Sequence, residues 1–168
     1  MPFYYPNWIN DFWRIMGLIH FGDKDRFCLV SEKRFDETAI RSFCEKAGLA
    51  FYDTACEVRR LKDNASDAFL EVVKPTDVDA LLKRLPECSN LVTTGQKATE
   101  VIAEMFGCEV PPIGAYTELM VADRPIRFWR MPSTSRAYPL PLPKKAEFYT
   151  RLFSLPAADG KETTSSSV

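Results

Sequence analysis

Two short segments of the sequence carry residue types that could act on a planar, charged ligand. The first, Tyr4–Trp13, holds five aromatic side chains and the carboxamides of Asn7 and Asn10. Aromatic faces stack on flat rings, and carboxamides beside them can donate and accept hydrogen bonds at the ring edge. The second, Met131–Arg136, contains three consecutive hydroxyl side chains followed by an arginine, which suits contact with phosphate oxygens.

The hydrophobic periodicity predicts the elements that must position these segments. It indicates helices over residues 9–21, 36–46, 78–85, 97–106 and 144–155, strands over 49–53, 90–95, 119–121 and 126–129, and an irregular charged stretch over 56–69. Helices that alternate with short buried strands predict an α/β domain, here a three-layer α/β/α sandwich with a short, mostly parallel central sheet. We expect this single domain to cover residues 1–156, and the small polar residues 157–168 to form a disordered tail.

Two turns are predicted where strands of this sheet end. They are Thr94–Gln96, after the strand at 90–95, and Met131–Ser133, after the strand at 126–129. Ligands of parallel sheets bind beyond the carboxyl ends of the strands. Since Gly95 has no side chain, backbone amides at the first turn could approach a ligand closely. Gly95, Met131 and Ser133 are therefore candidate substrate-binding residues.

Together the two segments resemble motifs of the uracil-DNA glycosylase superfamily, in its mismatch-specific and hypoxanthine-specific branches. Asn10–Trp13 matches the Asn-x-Phe-Trp end of the family's aromatic stretch, and Pro132–Ser135 matches its late Pro-Ser-Thr-Ser loop. The similarity runs from Tyr4 to about Tyr138. The family pattern also has a core strand and a glycine turn upstream of the aromatic stretch. The sequence therefore resembles a member that lacks this element, either because it is truncated before that point or because the protein has lost it.

The resemblance implies a role for each matched residue. Tyr5 corresponds to the aromatic that stacks on the extruded base, and Asn10 to the catalytic carboxamide of the hypoxanthine-specific branch. Classical uracil enzymes have a histidine at the position of Met131. Methionine, unlike histidine, cannot donate a hydrogen bond to the leaving base. Ser133 would contact the substrate as well as the backbone. The residues implied in contact with the DNA backbone are Pro132, Thr134, Ser135 and Arg136.

The implied reaction is hydrolysis of the N-glycosidic bond of a flipped deaminated base, uracil or hypoxanthine, in double-stranded DNA. The amide of Asn10 is not a strong base, so it would orient a water and stabilise an oxocarbenium-like transition state by its dipole. No lysine lies in either motif. We therefore expect a monofunctional glycosylase that acts as a monomer and needs no cofactor or metal.

Charge and cysteine patterns bear on these expectations. Residues 124–151 hold seven basic residues and one acidic residue in a chain of net charge −1, which predicts a local basic face for a phosphate backbone. The seven are Arg124, Arg127, Arg130, Arg136, Lys144, Lys145 and Arg151. Five irregularly spaced cysteines without a Cys-x-x-Cys pair predict free thiols, with no zinc or iron–sulfur site. The single histidine, His20, has no triad partners nearby.

The sequence predicts a cytoplasmic protein, because it has no apolar run of membrane-spanning length and no signal-peptide pattern. Other interpretations of the same residues stay open. Asn10 could be a helix cap, Tyr5, Phe12 and Trp13 could be core aromatics, and residues 132–135 could form an ordinary surface turn. The chain could accordingly be a non-catalytic nucleic-acid-binding relative, or an unrelated α/β enzyme.

Overall fold

A computed structural model describes residues 4–52, 55–60, 70–75 and 77–154 of the protein. The helices are α1 (Phe12–Phe21), α2 (Glu37–Ala47), α3 (Val78–Lys83), α4 (Gln96–Phe106) and α5 (Leu142–Ser154). The strands are β1 (Cys28–Leu29), β2 (Arg34–Phe35), β3 (Ala55–Arg60), β4 (Leu70–Pro75), β5 (Asn90–Thr94), β6 (Tyr116–Val121) and β7 (Arg124–Met131). The domain is therefore mixed α/β, as the periodicity predicted. The predicted tail over 157–168 lies outside the described residues.

The strand that organises the domain is β7, which lies between β5 and β6 in a three-stranded sheet. It pairs parallel to β5 and antiparallel to β6, and the hairpins β1–β2 and β3–β4 are both antiparallel. The described strands thus form one mixed three-stranded sheet and two antiparallel two-stranded sheets, and the expectation of a mostly parallel sheet is corrected. The reason is the two-residue turn Ala122–Asp123, whose positive φ values of 50° and 61° fit a tight hairpin and force β6 and β7 to run in opposite directions.

Alternate side chains of β7 enter two separate apolar clusters. Ile126 and Phe128, both 0% exposed, pack with residues of α3 and α4. Trp129 and Met131 pack with residues of α1 and α5. Since successive side chains of a strand point to opposite faces, β7 is buried on both sides and holds the two groups of helices in fixed positions relative to its carboxyl end.

Local signals set most helix boundaries. The Asp36 carboxylate accepts a hydrogen bond from the Ala39 amide at 3.2 Å and caps α2. The glycines predicted to end α1, α2 and α4, which are Gly22, Gly48 and Gly107, all have positive φ. These boundaries confirm the predictions to within a few residues.

Two predicted segments differ from the structure. Residues 49–52 are not in a strand, and residue 53 lies outside the described ranges. Residues 56–60, the start of the stretch predicted to be irregular over 56–69, belong to β3 and pair with β4, and residues 61–69 lie outside the described ranges. The partner of β3 is a later segment of chain, and backbone pairing of this kind overrides a weak local pattern. Helix α3 is capped by Asp77, which accepts from the Ala80 amide at 3.0 Å.

Candidate functional site

The carboxyl ends of β5 and β7 meet at one edge of the sheet, as predicted. Thr94 pairs with Met131 in the parallel register, and the Gly95 amide donates to the Met131 carbonyl at 3.0 Å. Gly95 adopts a φ of 89° immediately before α4 begins, a conformation that favours glycine. We call Thr94–Gly95 together with Met131–Arg136 the strand-end corner. It brings Gly95, Met131 and the late loop together.

The N-terminal aromatic segment, Tyr4–Trp13, lies directly against the strand-end corner. Asn10 and Ser135 form an antiparallel β-bridge. The Asp11 amide donates to the Thr134 carbonyl at 2.8 Å. Two segments separated by more than a hundred positions in sequence thus share backbone hydrogen bonds, and the residues predicted from both motifs occupy one site.

Tyr5 is held at this site in an unusual conformation. Its φ is 55°, which a bulky residue adopts only when surrounding contacts compensate the strain. The Tyr5 and Thr94 hydroxyls are in hydrogen-bond contact at 3.1 Å. The Tyr5 ring stacks on Phe12, with centroids 4.5 Å apart and planes 18° apart. One face of this half-buried ring is therefore covered by Phe12, and a ligand would have to stack on the opposite face.

Asn10 is half-buried and lies two residues before the first residue of α1, next to Asp11 at the N-cap position. Its Oδ1 accepts a hydrogen bond from the Phe12 amide at 2.9 Å. Its carbonyl accepts from the Arg14 guanidinium at 3.0 Å. Asn10 thus supplies part of the capping that the sequence left open: its Oδ1 accepts from the first amide of α1, while the N-cap position belongs to Asp11, whose side chain caps no amide. Because the cap uses Oδ1, the Asn10 amide nitrogen is the part of the side chain available to act on a ligand.

A buried ion cluster lies behind the strand-end corner. The Asp11 carboxylate, 7% exposed, is 3.2 Å from Lys145 Nζ, 3.6 Å from an Arg136 nitrogen and 3.9 Å from an Arg14 nitrogen. Lys145 Nζ also donates to the Ser135 carbonyl at 2.9 Å. Sequence reasoning placed Lys145 in a solvent-facing basic stretch, but its side chain is 1% exposed. Its 134-residue separation from Asp11 explains why no local pattern indicated this pair.

The late loop, which is Pro132–Ser135 with its neighbours Met131 and Arg136, is only partly exposed to solvent. Met131, Pro132 and Thr134 are buried. Ser133 is half-buried, and Ser135 and Arg136 are exposed. In this structure, the surface that could meet a phosphate backbone is therefore formed by Ser133, Ser135 and Arg136, while the other predicted contact residues support the loop from within.

Buried hydroxyl groups hold both turns of the strand-end corner from beneath. The Tyr149 hydroxyl donates to the Pro132 carbonyl at 2.7 Å, and burial raises the pKa of this phenol well above its ordinary value. The Thr99 hydroxyl donates to the Gly95 carbonyl at 2.7 Å. The hydroxyls of Thr93 and Thr99 are in hydrogen-bond contact at 2.8 Å. These supporting residues were missed because none of them lies within a motif.

The seven basic residues of 124–151 do not form a single face. Arg124 donates to the carbonyls of Leu82, Leu85 and Pro86 and thereby caps the end of α3. Arg124 lies at the start of β7, and Arg136 follows the opposite end of this strand. The two ends of a strand of this length are roughly 23 Å apart. With Lys145 buried and Arg124 bound at the end of α3, the exposed basic residue of the strand-end corner is Arg136.

Other reactive groups lie outside the strand-end corner. His20 contacts the rings of Phe43 and Phe153 at 4.9 and 4.5 Å, and burial lowers its pKa. Cys28, Cys44, Cys88 and Cys108 are free thiols, which confirms the prediction for these four. Within the described ranges, no group of three or more His, Cys, Asp or Glu side chains is arranged to hold a metal. Nor does any helix there have the length and apolarity to cross a membrane.

A cleft of about 370 Å³ lies at another place on the sheet. It is lined by Gly114, Ala115, Tyr116, Trp129, Arg151 and Ser154. None of these belongs to the strand-end corner. At the wall of the cleft, the Arg151 guanidinium donates to the Gly114 carbonyl at 3.4 Å. The cleft has few polar groups that converge on one point, so the strand-end corner is the better candidate site.

Comparison of the chain with models of protein families, with curated proteins and with solved structures found no match. The function is therefore inferred from the geometry of the strand-end corner and from the residues that meet there.

Proposed function

We propose that the protein is a monofunctional DNA glycosylase of the uracil-DNA glycosylase superfamily, acting on a flipped uracil or hypoxanthine. The observation that supports this proposal is the meeting of the two motif-like segments through the Asn10–Ser135 bridge and the Tyr5–Thr94 contact. A glycosylase needs a stacking surface, a polar group at the glycosidic bond and a backbone-binding loop within a few ångströms of one another.

Tyr5 supplies the stacking surface in this proposal. Phe12 stacks on one face of the ring, Phe51 meets the ring edge-to-face and Thr94 anchors its hydroxyl, so the ring is held in one orientation, and a base would stack on the side away from Phe12. Such stacking contributes about 1–3 kcal/mol per base. Gly95 and Ser133 border the same space, since a Cβ placed on Gly95 would lie 3.8 Å from the Ser133 Cβ. The Met131 side chain is fully buried, and its carbonyl accepts from the Gly95 amide, so Met131 supports this turn from within.

Asn10 is the proposed catalytic residue. Its Oδ1 is fixed by the Phe12 amide, which orients the rest of the carboxamide. The amide nitrogen can then hold a water or the base edge by hydrogen bonding. Because an amide cannot remove a proton efficiently, the rate enhancement comes from positioning and from stabilising charge in an oxocarbenium-like transition state.

Ser133, Ser135 and Arg136 are the proposed contacts with the DNA backbone. Hydroxyls and a guanidinium are the usual donors to phosphate oxygens. Pro132 and Thr134 give the loop its shape, since their carbonyls accept from Tyr149 and from the Asp11 amide. The loop is thereby stiff enough to press on a duplex and favour extrusion of a weakly paired nucleotide.

The proposal includes a family-like fold. Two apolar clusters on opposite sides of β7 support a three-layer α/β/α arrangement, and β5 with β7 supplies the parallel pair whose ends carry the site. The proposed partner is double-stranded DNA with a damaged base, bound by a monomer in the cytoplasm.

One observation favours a second candidate, a nucleic-acid-binding relative without catalysis. Asn10 Oδ1 accepts from the Phe12 amide, the first of α1, so this residue has a structural reason to be present in the absence of chemistry. The loop surface around Arg136 would serve duplex binding in either case.

The test is base release from a duplex oligonucleotide with a single uracil or hypoxanthine, with an undamaged duplex of the same sequence as control. Alkali-dependent cleavage at the damaged position supports a monofunctional glycosylase, and cleavage without alkali contradicts that part of the proposal. Binding that weakens steeply with salt but releases no base supports the second candidate. If the protein neither releases a base nor binds the duplex in a salt-dependent way, both candidates are refuted.

A further inference from the structure

Lys145, on α5, joins the start of α1 to the loop at Ser135 from inside the protein. It lies in the first turn of α5, its side chain is 1% exposed, and its Nζ contacts the Asp11 carboxylate and the Ser135 carbonyl at 3.2 and 2.9 Å. Asp11 follows the proposed catalytic Asn10, and Ser135 precedes Arg136. One ammonium group therefore connects the start of α1 with the proposed backbone-binding loop.

The charges around Asp11 suggest a second effect. Arg14 is already engaged, since its Nη1 donates to the Trp8 and Asn10 carbonyls at 2.8 and 3.0 Å. Arg136, whose side chain is 49% exposed, is 3.6 Å from the Asp11 carboxylate. A buried carboxylate must be balanced by a neighbouring cation. If Lys145 were absent, Arg136 would be the remaining cation able to move closer to Asp11.

We propose that Lys145 is a positioning residue for duplex binding and base release. It fixes the Ser135 backbone against α1, and it balances Asp11 so that Arg136 can leave the carboxylate for a DNA phosphate. This inference rests on the proposed function for its catalytic part, whereas the part that concerns loop position and duplex binding can be tested alone. Lys145 itself cannot touch the duplex, because its side chain is buried.

The experiment compares Lys145→Met with the double variant Asp11→Asn/Lys145→Met in the full chain. Lys83→Met is the matched control, because Lys83 pairs with Asp79 at 2.8 Å on the exposed surface of α3. Hydrogen exchange of the Asp11 amide, which donates to Thr134, reports the junction between α1 and the loop. Duplex binding as a function of salt reports phosphate contacts, and base release reports the reaction.

In Lys145→Met, we expect the Asp11 amide to exchange about tenfold faster relative to α4 amides. The salt slope of duplex binding should fall by about one unit, the contribution of one phosphate contact, and base release should slow. In the double variant the salt slope should return, because no carboxylate retains Arg136, while base release stays slow because Ser135 has lost its tether. Lys83→Met should match the wild type in all three.

A lysine that served stability alone would behave differently. Its loss would lower the free energy of unfolding, but amide protection, salt slope and base release of the folded molecules would stay at wild-type values, and that result would overturn the proposal. Failure of both Lys145 variants to fold would also assign the residue to stability and overturn it. If the wild type releases no base, the glycosylase proposal fails, while amide exchange and salt slope still decide whether Lys145 positions the loop.

Discussion

Replacing Asn10 with alanine separates the structural and catalytic roles of one side chain when it is compared with a serine variant. Alanine removes both the Oδ1 acceptor, which caps the Phe12 amide at 2.9 Å, and the amide nitrogen that would act on the substrate. Serine keeps an oxygen that can cap the helix but has no carboxamide. The two variants should therefore differ in stability and agree in activity.

The magnitudes show why the two effects can be told apart. Loss of a helix cap costs about 1 kcal/mol, within a range of about 0.5–2. A domain with a stability of about 5 kcal/mol or more would remain about 99% folded after that loss. Loss of one preorganised amide at a developing charge lowers a rate by about 10²–10³. Unfolding therefore cannot account for a hundredfold loss of activity in Asn10→Ala.

The assay is single-turnover base release with enzyme in excess over a uracil- or hypoxanthine-containing duplex, so that chemistry is measured apart from product release. Urea unfolding of the same preparations gives the free energy of unfolding. We expect Asn10→Ala and Asn10→Ser to lose activity equally. Asn10→Ala alone should lose stability, and duplex affinity should stay close to the wild type in both.

Two results would refute this reasoning. Activity in Asn10→Ser within a few-fold of the wild type would mean that the residue is only a cap. A loss of duplex affinity as large as the loss of activity would mean that Asn10 contributes to binding and not to the chemical step.

Three further predictions concern stability. Gly17→Ala should destabilise the protein by about 1–3 kcal/mol, because the new Cβ would lie 2.5 Å from the Asp23 carbonyl oxygen. This cost exceeds the gain from the higher helix propensity of alanine. Thermal unfolding checks this prediction, and a raised Tm would contradict it. Tyr149→Phe should cost about 1–3 kcal/mol in urea unfolding by leaving the buried Pro132 carbonyl without its donor, and an unchanged midpoint would show that the bond contributes nothing. The His20 side chain is exposed but packs against Phe43 and Phe153, and this partial burial lowers its pKa from 6.5. The unfolded chain therefore takes up the proton first, and a small part of the stability is lost as pH drops through the window below 6.5. His20→Gln should show a slightly smaller fall in stability between about pH 7.5 and about pH 5.5, and an equal fall in both proteins would rule His20 out as its source.

Local sequence signals predicted much of the fold. The Asp36 cap of α2 and the glycines that end α2 and α4 have local preferences that begin or end a helix, so their effect is readable without the rest of the chain. The sequence predicts the strand over residues 90–95, which is β5 (Asn90–Thr94) in the structure, for a similar reason, since a short apolar run bounded by turn residues is typical of a buried strand. The hairpin of β3 and β4 was missed because its stability comes from pairing between two segments, neither of which has a strong pattern by itself.

The candidate site divides in the same way. The residue types of Tyr5, Asn10 and the late loop, and the position of a glycine turn at a strand end, were determined by the sequence, because stacking, capping and phosphate contact each require particular side chains. Only the tertiary structure decided that Lys145 is a buried partner of Asp11, and that Arg124 caps a distant helix. Charge is a property of a residue, but its exposure and its partners depend on which segments pack together, and a linear sequence does not specify those distances directly.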